Sequence, residues 1–194
     1  MPPSTIPLFP LNTVLFPGGP LKLRIFEPRY VDMIGRCMRE DAGFGVALIT
    51  EGVEAGGPAR TANVGTLARI VDFEQLKDGL LGVTAHGRER FRIDVVRQQS
   101  DRLNIADVEW LPPEPPQAIA DEYNMFAELV RQAFPQLAAL YGDIQPAYED
   151  ASWVGMRLAE MLPLPAEDRQ ECLEILDAVE RLKFLNERIR IERG

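Results

Sequence analysis

The chain's one histidine, His86, stands in Val83-Thr-Ala-His-Gly-Arg-Glu-Arg90, the local setting in which a general base would be sought. Acid–base or nucleophilic catalysis needs a nucleophile or an orienting carboxylate within hydrogen-bond reach, and this stretch identifies none. His86 therefore reads as a strand residue, on the surface or in packing. The hydroxyls of Ser4, Ser100 and Ser152 lie outside any Gly-x-Ser-x-Gly elbow, and no motif links Lys22, Lys77 or Lys183 to a serine. Neither Gly-x4-Gly-Lys-Ser/Thr nor Gly-x-Gly-x-x-Gly occurs, so no phosphate cradle is visible. Cys37 and Cys172 have no metal or disulfide spacing and fit two reduced thiols in a cytosolic protein. The adjacent acids Asp121-Glu122, Glu149-Asp150 and Glu167-Asp168 could hold a hard cation. Each pair falls near an expected helix start, where the helix dipole accounts for it without a metal. The residues thus name no catalytic group, no metal ligand and no cofactor.

One cationic pattern remains. In Arg88-Glu-Arg-Phe-Arg92, strand alternation would place Arg88, Arg90 and Arg92 on one face, a geometry suited to a phosphate or an acidic surface. The competing reading is a solvated strand face paired with neighbours such as Glu74. A net charge of −9 favours it, because little surplus cation is left to displace the counterions of a nucleic acid.

The elements that must position any site divide at Pro112-Pro-Glu-Pro-Pro116, a stiff extended linker. Residues 1–112 carry 13 basic against 14 acidic side chains, whereas residues 113–194 carry 8 against 16. Before the linker the punctuation is that of a β domain. Pro7, Pro10, Pro17 and Pro20 interrupt an apolar segment that reads as short strands, Ile6–Phe9 and Thr13–Phe16, with a bend at Pro10-Leu-Asn12 and a third strand over Leu21–Ile25. Pro28 opens one helix, with Tyr30, Ile34 and Cys37/Met38 at helical spacing. Further strands are expected over Phe44–Thr50, Val64–Leu76, Leu80–Val96 and Ile105–Leu111, with a long loop at Glu51–Asn63 and an Asp78-Gly79 hairpin turn.

After the linker, residues 117–194 read as a helical bundle. One helix runs from Ile119 to Gly142 and should kink or split at Pro135, and a second covers Glu149–Met161. A third starts near Pro165 and continues towards the terminus, with Arg188, Arg190 and Arg193 in its last turn. No apolar run reaches membrane-spanning length and the N-terminus lacks a leader pattern, so the expected compartment is the cytoplasm.

Several motifs occur together in order: Ile6-Pro-Leu-Phe-Pro-Leu11, Val14-Leu-Phe-Pro-Gly18, Phe26-Glu-Pro-Arg-Tyr30, Val64-Gly-Thr-Leu-Ala-Arg-Ile70, Gly87-Arg-Glu-Arg-Phe-Arg-Ile93, Leu162-Pro-Leu-Pro165 and Gln170-Glu-Cys-Leu-Glu174. From about residue 6 to 190 the chain resembles the N-terminal, substrate-binding domain of Lon proteases, and most of all the stand-alone bacterial proteins built from that domain. The resemblance implies an α+β protein with a PUA-like, curled six-stranded β pseudo-barrel followed by an α-helical bundle. It also implies a non-enzymatic module that recognises unfolded or partly folded protein segments, alone or with a protease or chaperone. The P-loop and the Ser-Lys dyad of full-length Lon would lie beyond Gly194. PUA-like folds elsewhere hold small ligands or RNA, which leaves Arg88, Arg90 and Arg92 as an alternative anionic-ligand face.

For protein binding, a cleft between the β domain and the bundle is the expected place. Phe16, Phe26, Tyr30, Trp110 and Trp153 are its candidate aromatic anchors, and Arg29 is a further candidate contact. Core packing is the competing reading for each aromatic. For Arg29 it is a first-turn pairing with a nearby acid.

Overall fold

The computed structural model describes residues 4–54, 59–142 and 144–192, with side chains up to residue 189. Two compact units divide the chain, Met1–Pro112 and Pro113–Gly194.

The first unit contains strands β1 (Thr5–Leu11), β2 (Pro20–Ile25), β3 (Phe44–Gly52), β4 (Ala59–Thr61), β5 (Val64–Gln75), β6 (Leu81–Gln98) and β7 (Asn104–Trp110), and helix α1 (Pro28–Arg39). The sheet therefore has seven strands, not six. The extra one, β4, lies inside the expected Glu51–Asn63 loop and extends β3. The strands pair in the order β1-β7-β6-β5-β3, and β1 also pairs with β3, so these five close into a ring. All pairings in the ring are antiparallel except β1 with β3. Register shifts between Thr66 and Ala68, Ile70 and Asp72, and Ile93 and Val95 mark the bulges that let a single sheet curl so far.

The prolines of the first strand are explained by this closure. Val108 N–H donates to the Ser4 carbonyl at 2.7 Å, so residues 4, 6, 8 and 10 direct their backbone groups to the β7 side and residues 5, 7, 9 and 11 to the β3 side. Pairing with β7 spans Thr5 to Leu8, and pairing with β3 spans Leu8 to Leu11. Pro7 thus faces the β3 side before β3 arrives, and Pro10 faces the β7 side after β7 has ended. Neither removes a ladder bond, so the strand expected to bend at Pro10 runs on to Leu11.

The second expected strand, Thr13–Phe16, is a loop. It fills the stretch of β6 between its two same-edge partners, β2 over Leu81–His86 and β7 over Phe91–Gln98. Gly18 N–H donates to the Gly87 carbonyl (2.8 Å), Gly87 N–H to the Gly19 carbonyl (2.9 Å) and the Thr66 hydroxyl to the Leu15 carbonyl (2.6 Å). These bonds replace the missing ladder. Gly87 is required by the approach itself, since a Cβ there would overlap the Phe16 carbonyl oxygen.

Apolar residues pack on both faces of the ring. Phe9, Leu21, Tyr30, Ile34, Phe44 and Val83 belong to one cluster, and Ile6, Leu8, Leu67, Phe91 and Val108 to another. Helix α1 starts at Pro28, as its sequence predicts, and buries Tyr30, Met33, Ile34 and Cys37 in the first cluster.

The second unit opens with a 3-10 turn, Asp121–Tyr123, followed by α2 (Asn124–Tyr141), α3 (Ala151–Met161), α4 (Ala166–Glu174) and α5 (Ala178–Glu192). Helix α2 starts five residues later than its apolar stripe suggests and stays continuous through Pro135. The expected third helix is two. Arg181, fully buried, donates to the Cys172 carbonyl at 2.8 Å and to the Ile175 carbonyl at 2.5 Å. Those carbonyls are taken out of the helix, and Asp177 restarts it by accepting from the Val179 and Glu180 amides, both at 2.9 Å. Of the cations expected in the last turn, Arg188 pairs with Asp168 at 3.0 Å; the side chains of Arg190 and Arg193 lie outside the described residues.

The proline segment is not a bare spacer. Glu114, its one charged residue, pairs with Arg181, and its Oε2 accepts from Arg181 Nη1 (2.9 Å) and the Ser152 hydroxyl (2.6 Å). Asp150 caps α3 through the Ser152 amide (3.1 Å) and also accepts from the Gln117 amide (3.0 Å).

A second buried ion pair joins Arg157 Nε to Glu160 at 2.8 Å, and the Tyr141 hydroxyl donates to Glu160 at 2.8 Å. Burial pushes the Glu160 carboxyl from its ordinary 4.5 up to about 7, against the pull of Arg157, Tyr141 and Arg169. An acid raised in this way binds its proton more tightly folded than unfolded. Its contribution to stability is present below about 4.5 and is lost as pH rises through about 7. Glu160→Gln is therefore expected to flatten the fall in urea midpoint between pH 5 and pH 7.5; an unchanged slope would assign the fall to other groups.

No helix among the described residues is long and apolar enough to cross a membrane.

Candidate functional site

The expected anchors within the β unit do not gather in one place. Phe16 is fully buried beneath the loop it belongs to, held there by the Gly87 contact, so it cannot serve as a surface anchor. Trp110 is half-buried and meets Phe91 edge-on at 6.0 Å. Trp153, half-buried, packs against Phe134 (5.2 Å) and Tyr148 (5.3 Å) within the helical unit.

The arginine stripe is also broken. One extra β6 residue lies between Gly87 and Arg90, opposite β5, and it puts Arg88 out of phase with Arg90 and Arg92, which alternate regularly with each other. Arg88 is exposed; of the other two, Arg90 is buried, 3% exposed, and Arg92 is exposed and paired to Glu109 at 2.8 Å. The three do not form one face.

Phe26, Tyr30 and Arg29 do come together, at the junction of β2 and α1. Glu27 is extended (φ −80°, ψ 130°), as the residue before a proline prefers, and Pro28 begins the helix. Arg29 points back rather than out: it pairs with Glu27 at 2.8 Å and donates to the Arg102 carbonyl at 2.8 Å. Its guanidinium carbon lies 4.6 Å from the centroid of the Tyr30 ring, and Phe9 stacks with that ring at 3.8 Å. Burial raises the Tyr30 hydroxyl above its ordinary value, with Arg29 opposing. Arg29 is thus a support for the aromatic pair and not an exposed contact.

Above this pair lies a groove of about 350 Å³, lined by the Phe9 and Leu11 end of β1, Lys22–Phe26, Tyr30 and Glu54. Phe26 is 60% exposed on its lining, the most exposed large apolar side chain among the described residues. Strand β2 pairs with β6 alone among the described residues, so its other edge is open. Lys22, Leu23 and Arg24, which border the groove from that strand, carry no signal in the sequence, because the open edge depends on pairings made far along the chain.

The arrangement can hold an apolar, extended ligand. Burial pushes the Cys37 thiol up to about 11 and the Cys172 thiol up to about 12, far from thiolate chemistry at neutral pH. No cluster of three or more His, Cys, Asp or Glu among the described residues could hold a metal ion.

Residues 5–190 match the substrate-binding domain of ATP-dependent protease La (LON). The chain belongs to this LON substrate-binding family. A Lon N-terminal domain protein from Xanthomonas campestris has the same fold, with a TM-score of 0.79 and 35% identity, covering 93% of this chain and 96% of that one. The N-terminal domain of the Mycobacterium avium complex Lon protease, at 18% identity and TM-score 0.65, shares the fold. Lon protease of Anaeromyxobacter dehalogenans is 26% identical over 198 residues, which covers 95% of this chain. The LON match takes in only 23% of that relative, so the chain spans about a quarter of its length. Protein cereblon of Danio rerio is 32% identical over 113 residues, 56% of this chain.

Proposed function

We propose that this chain is a non-enzymatic recognition module that binds unfolded or partly folded polypeptide segments in the cytoplasm and works with a protease or chaperone. The observation that carries the reading is the apolar groove over the Phe9–Tyr30 stack, with Phe26 exposed on its lining. A soluble protein gains nothing in stability from a phenylalanine left 60% in water, whereas an aromatic beside a concave apolar surface is a typical anchor for a protein ligand. The family's name as a substrate-binding domain supports the same reading.

The test is fluorescence anisotropy with a labelled, permanently unfolded polypeptide. Saturable binding that survives moderate salt is expected, and Phe26→Ala should weaken it about tenfold or more, the effect of removing one anchor. Phe26 is exposed, so the variant will keep its circular dichroism spectrum and melting temperature. Absence of polypeptide binding, or binding indifferent to Phe26→Ala, would overturn the reading. Salt-sensitive binding of a labelled RNA oligomer in place of the polypeptide would overturn it too.

A further inference from the structure

We infer that the groove takes its ligand as an added β-strand along the open edge of β2, and that the preferred segment alternates apolar with acidic residues; this rests on the recognition reading above. The first support is the edge itself. Gly87 N–H donates to the Gly19 carbonyl, and this parity directs the backbone groups of residues 21, 23 and 25 to β6 and those of Lys22 and Arg24 away from it. Two residues in succession on that side thus offer their N–H and C=O groups to a neighbour, the requirement for strand addition.

The second support is the pattern of burial across β2. Leu21 and Ile25 are buried and Leu23 is half-buried, on the face continuous with Phe9, Leu11 and Tyr30. Lys22 and Arg24 stand on the opposite face, both exposed. A strand laid beside β2 would have the same two faces. Alternate side chains would enter the apolar groove, and those between them would lie beside Lys22 and Arg24.

Charge then selects the intervening residues. Arg24 pairs with Asp78 while its side chain remains 67% exposed. Of the two acids of the lining, Glu27 pairs with Arg29, whereas Glu54 accepts from the neutral Asn12 amide and keeps its charge. The cations offered to an incoming strand are therefore those on the face away from the groove, Lys22 and Arg24. Lysine and proline on an open edge also discourage neutral strands from joining, and Pro20 begins this one. The same charges that exclude a neutral or basic strand are matched by an acidic one.

The experiment uses four synthetic peptides: one alternating valine with glutamate, one alternating valine with lysine, and the valine–glutamate peptide in two N-methylated forms. In one form the valine amides are methylated and in the other the glutamate amides. Amides of successive residues face opposite edges of a strand, so only one methylated set can block pairing with β2. Binding is expected to fall at least about tenfold in one methylated form and to persist in the other. The glutamate peptide should bind about tenfold tighter than the lysine peptide, and the Lys22→Glu/Arg24→Glu protein should reverse that preference. An equal response to both methylations would overturn strand addition, and equal binding of the two parent peptides would overturn the acidic preference. Either failure leaves the recognition reading standing if the unfolded polypeptide still binds through Phe26. Loss of that binding overturns the recognition reading itself.

Discussion

Arg181→Met will destabilise the helical unit by about 3–5 kcal/mol, the cost of leaving one member of a buried ion pair without its partner. The guanidinium is fully buried and makes three kinds of contact: to the Glu114 carboxylate, to the Cys172 carbonyl and to the Ile175 carbonyl. Methionine fills much of the volume but satisfies none of these acceptors. Glu114, whose side chain is 5% exposed, would be left as a desolvated anion with Ser152 as its donor. Urea denaturation followed by far-UV circular dichroism reads the loss, since helices α2–α5 dominate that signal. Glu114→Leu added to Arg181→Met should recover part of it but not all. The added leucine removes the stranded anion, whereas the Cys172 and Ile175 carbonyls still lack the bonds that Arg181 gave them. A single-variant loss below about 1 kcal/mol would show that water reaches these groups and that the pair is not a structural lock.

Gly87→Ala is the second large effect and falls on the β unit. The added methyl collides with the backbone of Phe16 rather than with the tip of a flexible side chain, so relief requires moving the loop that fills the gap between β2 and β7 on β6. That movement breaks the Gly18–Gly87 and Gly87–Gly19 bonds together. A loss of more than about 3 kcal/mol, or failure to accumulate folded protein, is expected. Gly79→Ala is the control. Gly79 has φ +82° in the β5–β6 turn with nothing near its would-be Cβ, so only the left-handed backbone penalty of about 1–2 kcal/mol applies. Similar losses in the two variants would mean that the loop yields easily and that Phe16 is not pinned by this contact.

What the sequence disclosed of this fold was what short-range chemistry decides. Pro28 at a first helical position and the Tyr30, Ile34, Cys37 spacing define α1. Asp78-Gly79 defines the β5–β6 hairpin. The misplaced elements depend on partners far away in the sequence. Thr13–Phe16 has the composition of a strand but lies where β6 can offer it only a glycine, and the break after α4 exists because Arg181 draws two carbonyls out of the helix.

The candidate site follows the same division. Phe16 and Phe26 are ten residues apart and chemically identical, yet one is 0% and the other 60% exposed. The difference is set by Gly87 for the first and by the single pairing of β2 for the second. Arg88 is out of phase with Arg90 and Arg92 because of one inserted residue, which no local pattern announces. Lys22 and Arg24 became candidates only once the edge beside them was seen to be open.

The ring also orders events in time. Its closing bonds join Thr5 to Asp107, 102 residues apart, so the first strand to be synthesised waits for the last one before the β unit is complete. At about 5–20 residues per second that wait is roughly 5–20 s. Throughout it β1 remains a short apolar strand with no ladder on its β7 side. Pro7 and Pro10 sit in that strand, and each withholds one donor from any wrong partner that arrives first. The prolines that complicate the reading of the sequence are, in the growing chain, a guard on its most exposed segment.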